Sequence, residues 1–230
     1  MFNIVIFLAV FIMGISMYFT CYKVNIIEYD SKIKGHNILF IANTHGNEPS
    51  GKYALDNLKL ILDKRPIKSG KITIINNLNK CGYYINNRYY SNIGKNYDLN
   101  RLYGKNFIVN KQVEKLVKDS NIIIDFHEGW GFIGKDKNSI GSSFTFYNFN
   151  KKTKKDLLTK INNNISIDYK KFKESVRKTI PHSLRDYISK SNKKYILVET
   201  TGQNNIQPLS IRVNQCITVI SYILTLYDMI

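Results

Sequence analysis

Cysteine is scarce in this 230-residue sequence: Cys21, Cys81 and Cys216 are an odd set, with none in C-x-x-C spacing. A disulfide framework and a cysteine-based zinc site are therefore excluded as organising principles. Acidic residues are few as well, 17 against 34 Lys plus Arg, leaving a formal charge of +17. That excess suits an anionic partner: nucleic acid, an acidic membrane surface or a carboxylate substrate. Yet the basic residues are spread along the chain rather than gathered beside aromatics, and Asn and Ile are over-used with Lys. We read most lysines as solvated surface and expect no nucleic acid partner. Internal repeats are lacking, as is any linker after residue 30. With 43% hydrophobic and 22% charged residues, the chain can bury one sizeable α/β core.

Charge is absent from Phe2 to Tyr22, and residues 4–19 are apolar except for Gly14 and Ser16. About 20 such residues, at 1.5 Å each, match a hydrocarbon core of roughly 30 Å. A cleaved signal peptide wants a basic start and a small-x-small exit. Here no Lys or Arg precedes the run, and its exit, Met17-Tyr18-Phe19-Thr20-Cys21, is bulky. The sequence thus predicts an uncleaved transmembrane anchor over 1–22 and a catalytic domain over 23–230. Lys23, Lys32 and Lys34 after the span lean towards a cytoplasmic domain. In a chain with Lys throughout, this leaves the side of the membrane open.

Beyond the anchor, apolar runs and helical spacings alternate. Strands are expected over 24–29, 37–42, 71–75, 121–126, 143–147 and 195–198. Helices are expected over 52–62, 111–118, 151–165, 183–190 and 209–226. Residues 76–106, rich in Asn and Tyr, read as one long loop, a length that usually signals function. Strands separated by helices imply a largely parallel sheet covered on both faces.

Chemistry-bearing residues sit where the expected strands end, the place where open α/β sheets bind ligands. After 37–42 comes Asn43-Thr44-His45-Gly46-Asn47-Glu48, where a turn would let His45 and Glu48 converge on one cation. After 121–126 comes His127. His, Glu and His make a catalytic-type zinc set, with three protein ligands and one position open for water. Glu199 follows 195–198; beside such a water it would act as general base. The rival pairing is with Lys194. Glu128 is a competing base, but as neighbour to a ligand its side chain diverges from it. The remaining histidines, His36 and His182, read as surface residues. Within the long loop, Arg101 beside Asn100 could clamp a carboxylate, and Arg88 could stabilise an oxyanion.

The ordered motifs H-G-N-E, D-L-N-R, D-F-H-x-G and V-E-T together resemble the succinylglutamate desuccinylase/aspartoacylase branch of the zinc carboxypeptidase superfamily. The resemblance runs from about residue 37 to 226. It implies one Zn²⁺ on His45, Glu48 and His127, with Glu199 as catalytic base. It also implies Arg88 at the scissile carbonyl and Asn100 with Arg101 on the substrate carboxylate. The implied fold is a three-layer α/β/α sandwich around a mixed, mostly parallel twisted sheet. The implied activity is hydrolysis of an N-acyl amino acid; a carboxypeptidase acting on peptides or cell-wall fragments shares every residue. A non-catalytic membrane-anchored protein on the same fold is a third reading. The sequence departs from the family after D-L-N-R, where Leu102-Tyr103-Gly104 follows, and no motif marks a lid tyrosine among its 16 Tyr.

Overall fold

The computed structural model describes residues 21–92 and 94–230. The predicted anchor therefore lies outside the described residues, apart from Cys21 and Tyr22. In chain order the first half carries β1 (Ile27–Asp30), β2 (Asn37–Ala42), α1 (Ser50–Leu62), β3 (Lys71–Ile75), α2 (Lys80–Tyr84), β4 (Tyr90–Asn92), β5 (Lys95–Tyr97) and α3 (Ile108–Asp119). The second half adds β6 (Ile122–Gly129), β7 (Ser143–Tyr147), α4 (Lys151–Asn162), β8 (Lys173–Glu174), α5 (Leu184–Ser189), β9 (Lys194–Thr201) and α6 (Leu209–Leu226).

Seven strands form one sheet in the order β1-β3-β2-β6-β9-β7-β8, and β4 pairs with β5 in a separate hairpin. The central pairs β3–β2, β2–β6 and β6–β9 are parallel; β1–β3 and β7–β9 are antiparallel. The sheet is thus mixed and mostly parallel at its centre, as expected. Its central strands read as continuous apolar runs because both faces are covered. Alternation along β2 sends Ile38, Phe40 and Ala42 into a core shared with α1, α4 and α6. Leu39 and Ile41 enter a second core with Val109, Val113 and Val117 of α3 and Leu184 and Ile188 of α5. Two cores on opposite faces give the three layers.

Among the described residues, α6 alone is long and apolar enough to cross a membrane. Its Cys216, Val219, Ile220, Ile223 and Leu224 are packed in the first core, so it is a core helix here.

Three sequence expectations are corrected. Residues 76–106 hold α2, the β4–β5 hairpin and a 3-10 turn at Leu99–Arg101, so the stretch is built rather than structureless. Strands β6 and β9 run on to Gly129 and Thr201, so His127 and Glu199 lie inside their strands, not after them. Parallel pairing persists to these positions, and His127 registers with Glu199. Finally, the odd cysteine count conceals one bridge, Cys21–Cys81, with Cα atoms 5.8 Å apart; Cys216 is free and buried.

Candidate metal centre

β2 ends at Ala42, and Asn43 turns the chain with a left-handed φ of 58°, a conformation its short polar side chain tolerates. The next residues carry His45 and Glu48 back over the sheet to α1. Gly46 is required there: a Cβ would stand 2.1 Å from the Gly82 carbonyl carbon and 2.3 Å from the Tyr83 nitrogen. Gly51 lets α1 approach just as closely, for a Cβ would lie 2.4 Å from that of Phe126. At the first turn of α1, Ser50 donates its N–H to Glu128 Oε1 at 2.7 Å, a carboxylate placed where a helix N-terminus favours negative charge.

The turn meets β6 at His127. His45 Nδ1 lies 2.8 Å from Glu48 Oε1, His127 Nδ1 lies 2.9 Å from Glu48 Oε2, and the two Nδ1 atoms are 3.2 Å apart. All three side chains are buried, and their ligand atoms lie within 4.8 Å of one another. Each imidazole has a carboxylate behind it. His45 Nε2 is 3.1 Å from Asp98 Oδ1, and His127 Nε2 is 3.2 Å from Asp125 Oδ1. Tyr195 in turn donates to Asp125 Oδ2 at 2.9 Å. The bond from Asp98 favours a proton on His45 Nε2 and leaves its Nδ1 lone pair for a cation, the arrangement usual behind metal-bound histidines; Asp125 faces His127 Nε2 as a close charge contact.

The donor set fits such a cation. Two Zn–N bonds of about 2.05 Å at a tetrahedral angle put nitrogens roughly 3.3 Å apart, close to the spacing of the two Nδ1 atoms. Two buried Nδ1 atoms facing each other and a carboxylate call for positive charge among them, which a proton or a metal cation supplies. The charges in this cluster act strongly on one another. Burial pushes the Glu48 carboxyl up, but the two imidazoles outweigh it and hold it well below the usual range. Burial likewise raises Asp98, and His45 with Arg88 and Arg101 brings it below its ordinary value. Burial pulls the His127 imidazole down, yet Asp125 and Glu48 prevail and raise it well above normal.

The remaining expected residues line one cleft of about 160 Å³ with the ligand set: Arg88, Asn100, Arg101 and Glu199. Glu199 is partly buried, and desolvation, with Glu48 and Asp125 nearby, pushes its carboxyl up to about 8 against the pull of His127 and Arg88. Lys194, the rival partner, has its Nζ donating to Tyr227 Oη at 3.0 Å, and no Lys194–Glu199 ion pair forms among the described residues. Glu128 is ion-paired with Arg212 and also accepts from the Ser50 N–H, so both of its oxygens are engaged. Arg88 donates through Nη1 to Glu48 at 3.1 Å and through Nη2 to Asp98 at 3.2 Å, leaving its other N–H groups to the cleft. Asn100 Oδ1 accepts from Leu184 N at 2.9 Å, which turns the amide Nδ2 outward as a donor. Arg101 Nη1 donates to the Asn100 carbonyl at 2.6 Å. His36 and His182 are exposed, as expected.

Four residues went unread in the sequence, two that stand behind the imidazoles and two that line the cleft. Asp125 was legible in principle, two residues before His127 and so on the same strand face. Asp98 opens the D-L-N-R motif but carried no assigned role. Arg177 and Arg185 come from segments without a motif. Arg185 Nε donates to Tyr147 Oη at 2.8 Å and Nη2 to the Arg177 carbonyl at 2.5 Å, and it has no carboxylate partner among the described residues. Among the described residues, Tyr195 is the only tyrosine lining the cleft, and its bond to Asp125 puts it behind the histidine rather than on a lid.

A turn and a strand of a doubly covered mixed sheet, bringing His-x-x-Glu and a second His together, define an α/β protein with a residue cluster able to hold a metal ion. Residues 34–130 match the family described as Succinylglutamate desuccinylase/Aspartoacylase catalytic domain, the branch of the zinc carboxypeptidase superfamily that the motifs resemble. No curated protein matches the chain. Among solved structures, apo Cell Shape Determinant protein Csd4 from Helicobacter pylori is similar with a TM-score of 0.74 and 16% identity, over 90% of this chain and 55% of its own. A product-bound Ectoine utilization protein EutE (DoeB) from Ruegeria pomeroyi is similar with a TM-score of 0.63 and 14% identity, over 90% of this chain and 61% of its own. This chain therefore spans little more than half the length of Csd4, and at these identities the likeness is one of fold.

Proposed function

We propose that residues 23–230 form the catalytic domain of a zinc-dependent hydrolase, anchored through 1–22, that cleaves an amide bond beside a free carboxylate. The observation that carries this reading is the convergence of three buried ligand groups, each imidazole backed by its own carboxylate. One zinc ion held by His45, Glu48 and His127 would supply Lewis acidity and lower the pKa of a water to about 7. Glu199, lining the same cleft, would be drawn to its ionised form by the cation, and as a carboxylate it takes the proton of the attacking water and returns it to the leaving amine. Arg88 donates to the carbonyl oxygen as negative charge gathers on it. Arg101 and the Asn100 amide hold the free carboxylate, a planar anion that suits the guanidinium fork.

The small cleft favours an N-acyl amino acid. A second reading, a carboxypeptidase acting on peptides or cell-wall fragments, is supported by Csd4, one structure of which is described as a D,L-carboxypeptidase in its mDAP-bound form. A panel of acylated amino acids and short peptides, run on protein of measured zinc content, separates the two. Glu199→Gln is expected to keep zinc and lose about 10²- to 10⁴-fold in kcat. Near-wild-type turnover in that variant removes Glu199 from the mechanism, and a chain that takes up no zinc leaves only the non-catalytic reading.

A further inference from the structure

The Cys21–Cys81 bridge joins the end of the apolar N-terminal stretch to α2, and the contacts around Cys81 lead directly to the metal centre. Cys81 is followed by Gly82, whose N–H is held by Asn79 Oδ1 at 2.9 Å and whose carbonyl accepts from Asn87 N at 2.7 Å. This closed turn is the surface against which Gly46 has no room for a Cβ. The Arg88 carbonyl completes the seam, accepting from Asn79 Nδ2 at 3.2 Å and from Gly46 N at 3.4 Å. At the other end of the bridge, Gln112 of α3 donates to the Tyr22 carbonyl at 2.8 Å and accepts from Val24 N at 3.2 Å. Cys21 is thereby fixed to the body of the domain. One covalent link therefore ties that frame to the 79–88 turn, which ends at Arg88 and abuts the turn bearing His45.

We propose that Cys21 and Cys81 are a positioning pair for the catalytic face, closed by oxidation, and that the domain works in an oxidising compartment on the outer side of its membrane. Disulfides persist in such compartments and are rare in the cytosol, which outweighs the lean of Lys23, Lys32 and Lys34 towards the cytoplasmic side. Closure removes two protons and two electrons from the thiols. A disulfide-bearing thiol oxidoreductase of the compartment accepts them by exchange and leaves as a dithiol. With the bridge closed, the 79–88 turn is pressed onto the His45–Glu48 turn. With it open, α2 is held to the domain by its remaining noncovalent contacts alone, and Arg88 and His45 lose their fixed spacing.

The catalytic arm of this proposal rests on the hydrolase reading; the thiol and exchange arms do not. Full-length protein recovered from membranes is alkylated under denaturing conditions, with and without reductant. One reactive thiol without reductant and all three with it are expected; three without reductant overturn the proposal. Hydrogen exchange on the intact chain, before and after dithiothreitol, is expected to speed up at residues 79–88 and 43–48 and to stay constant in β6. Unchanged exchange at both turns refutes the clamp. Reduction is also expected to lower kcat roughly ten- to hundredfold, in line with a misplaced reacting group. KM should hold, because Asn100 and Arg101 lie outside the clamped turn. A loss of kcat fully explained by loss of folded protein, measured on the same samples by circular dichroism, counts against positioning. If oxidised protein binds zinc but hydrolyses nothing, the hydrolase reading fails while the thiol count and exchange still decide the clamp. Cys81→Ser and Cys21→Ser repeat the test without reductant.

Discussion

Removing Arg212 tests the energetics beneath the metal centre. Its guanidinium meets Glu128 Oε2, with the two side chains 5% and 1% exposed, so solvent screens almost nothing. Burial raises the Glu128 carboxyl despite Arg212 and the Ser50 N–H, which means that desolvation outweighs the pairing. Such a pair adds little net stability, but each half depends on the other. Arg212→Met leaves a buried carboxylate with only the Ser50 N–H, and is expected to cost about 3–5 kcal/mol. For a domain of this size that lowers Tm by roughly 6–20 °C, at about 2–4 °C per kcal/mol. Glu128→Gln keeps the acceptor for Ser50 and strands the guanidinium, for a similar loss. The double variant removes both charges and is expected to recover most of the deficit, ending within about 1–2 kcal/mol of the native chain. Urea unfolding of metal-free protein, with m held constant across the four proteins, gives the cycle. A loss under about 1 kcal/mol for Arg212→Met, or a double variant as unstable as the sum of the singles, would refute the reasoning.

Three further outcomes are expected. Asp125→Asn should weaken zinc binding about 10- to 100-fold in competition with a chromogenic chelator, because the Nε2 side of His127 loses its carboxylate; unchanged affinity would show that Asp125 serves only Tyr195. Gly46→Ala should destabilise by at least about 1–3 kcal/mol in the same urea assay, since the new methyl meets backbone rather than a movable side chain. Arg101→Met should raise KM for a carboxylate-bearing substrate while zinc content stays constant; a fall in kcat alone would place Arg101 elsewhere in the reaction.

How much of this was legible in the sequence differs by residue for physical reasons. His45 and Glu48 were readable because a three-residue spacing at a Gly-containing turn restricts where both can point. His127 was readable because it follows an apolar run at the expected carboxyl end of a strand, where open α/β sheets bind ligands. The exact ends of β6 and β9 were not, since pairing with a neighbouring strand, invisible to local pattern, carries each past its apolar segment. The Cys21–Cys81 link escaped because a separation of 60 residues leaves no local trace. The 76–106 stretch looked structureless because its order comes from side chain to backbone bonds, such as that of Asn79, and from packing on the turn after β2, rather than from a periodic apolar face. Arg177 and Arg185 were beyond reach, because tertiary contacts alone bring their segments to the cleft.

The shared register of His127 and Glu199 on adjoining parallel strands has a consequence for redesign. Their separation is a lattice constant of the sheet, set by an interstrand repeat of about 4.8 Å, and no connecting segment determines it. Exchange of the 175–183 rim, which lines the cleft, can reshape what enters without retuning the distance between imidazole and acid. Selectivity in this scaffold is therefore open to transplantation in a way that its reactive core is not.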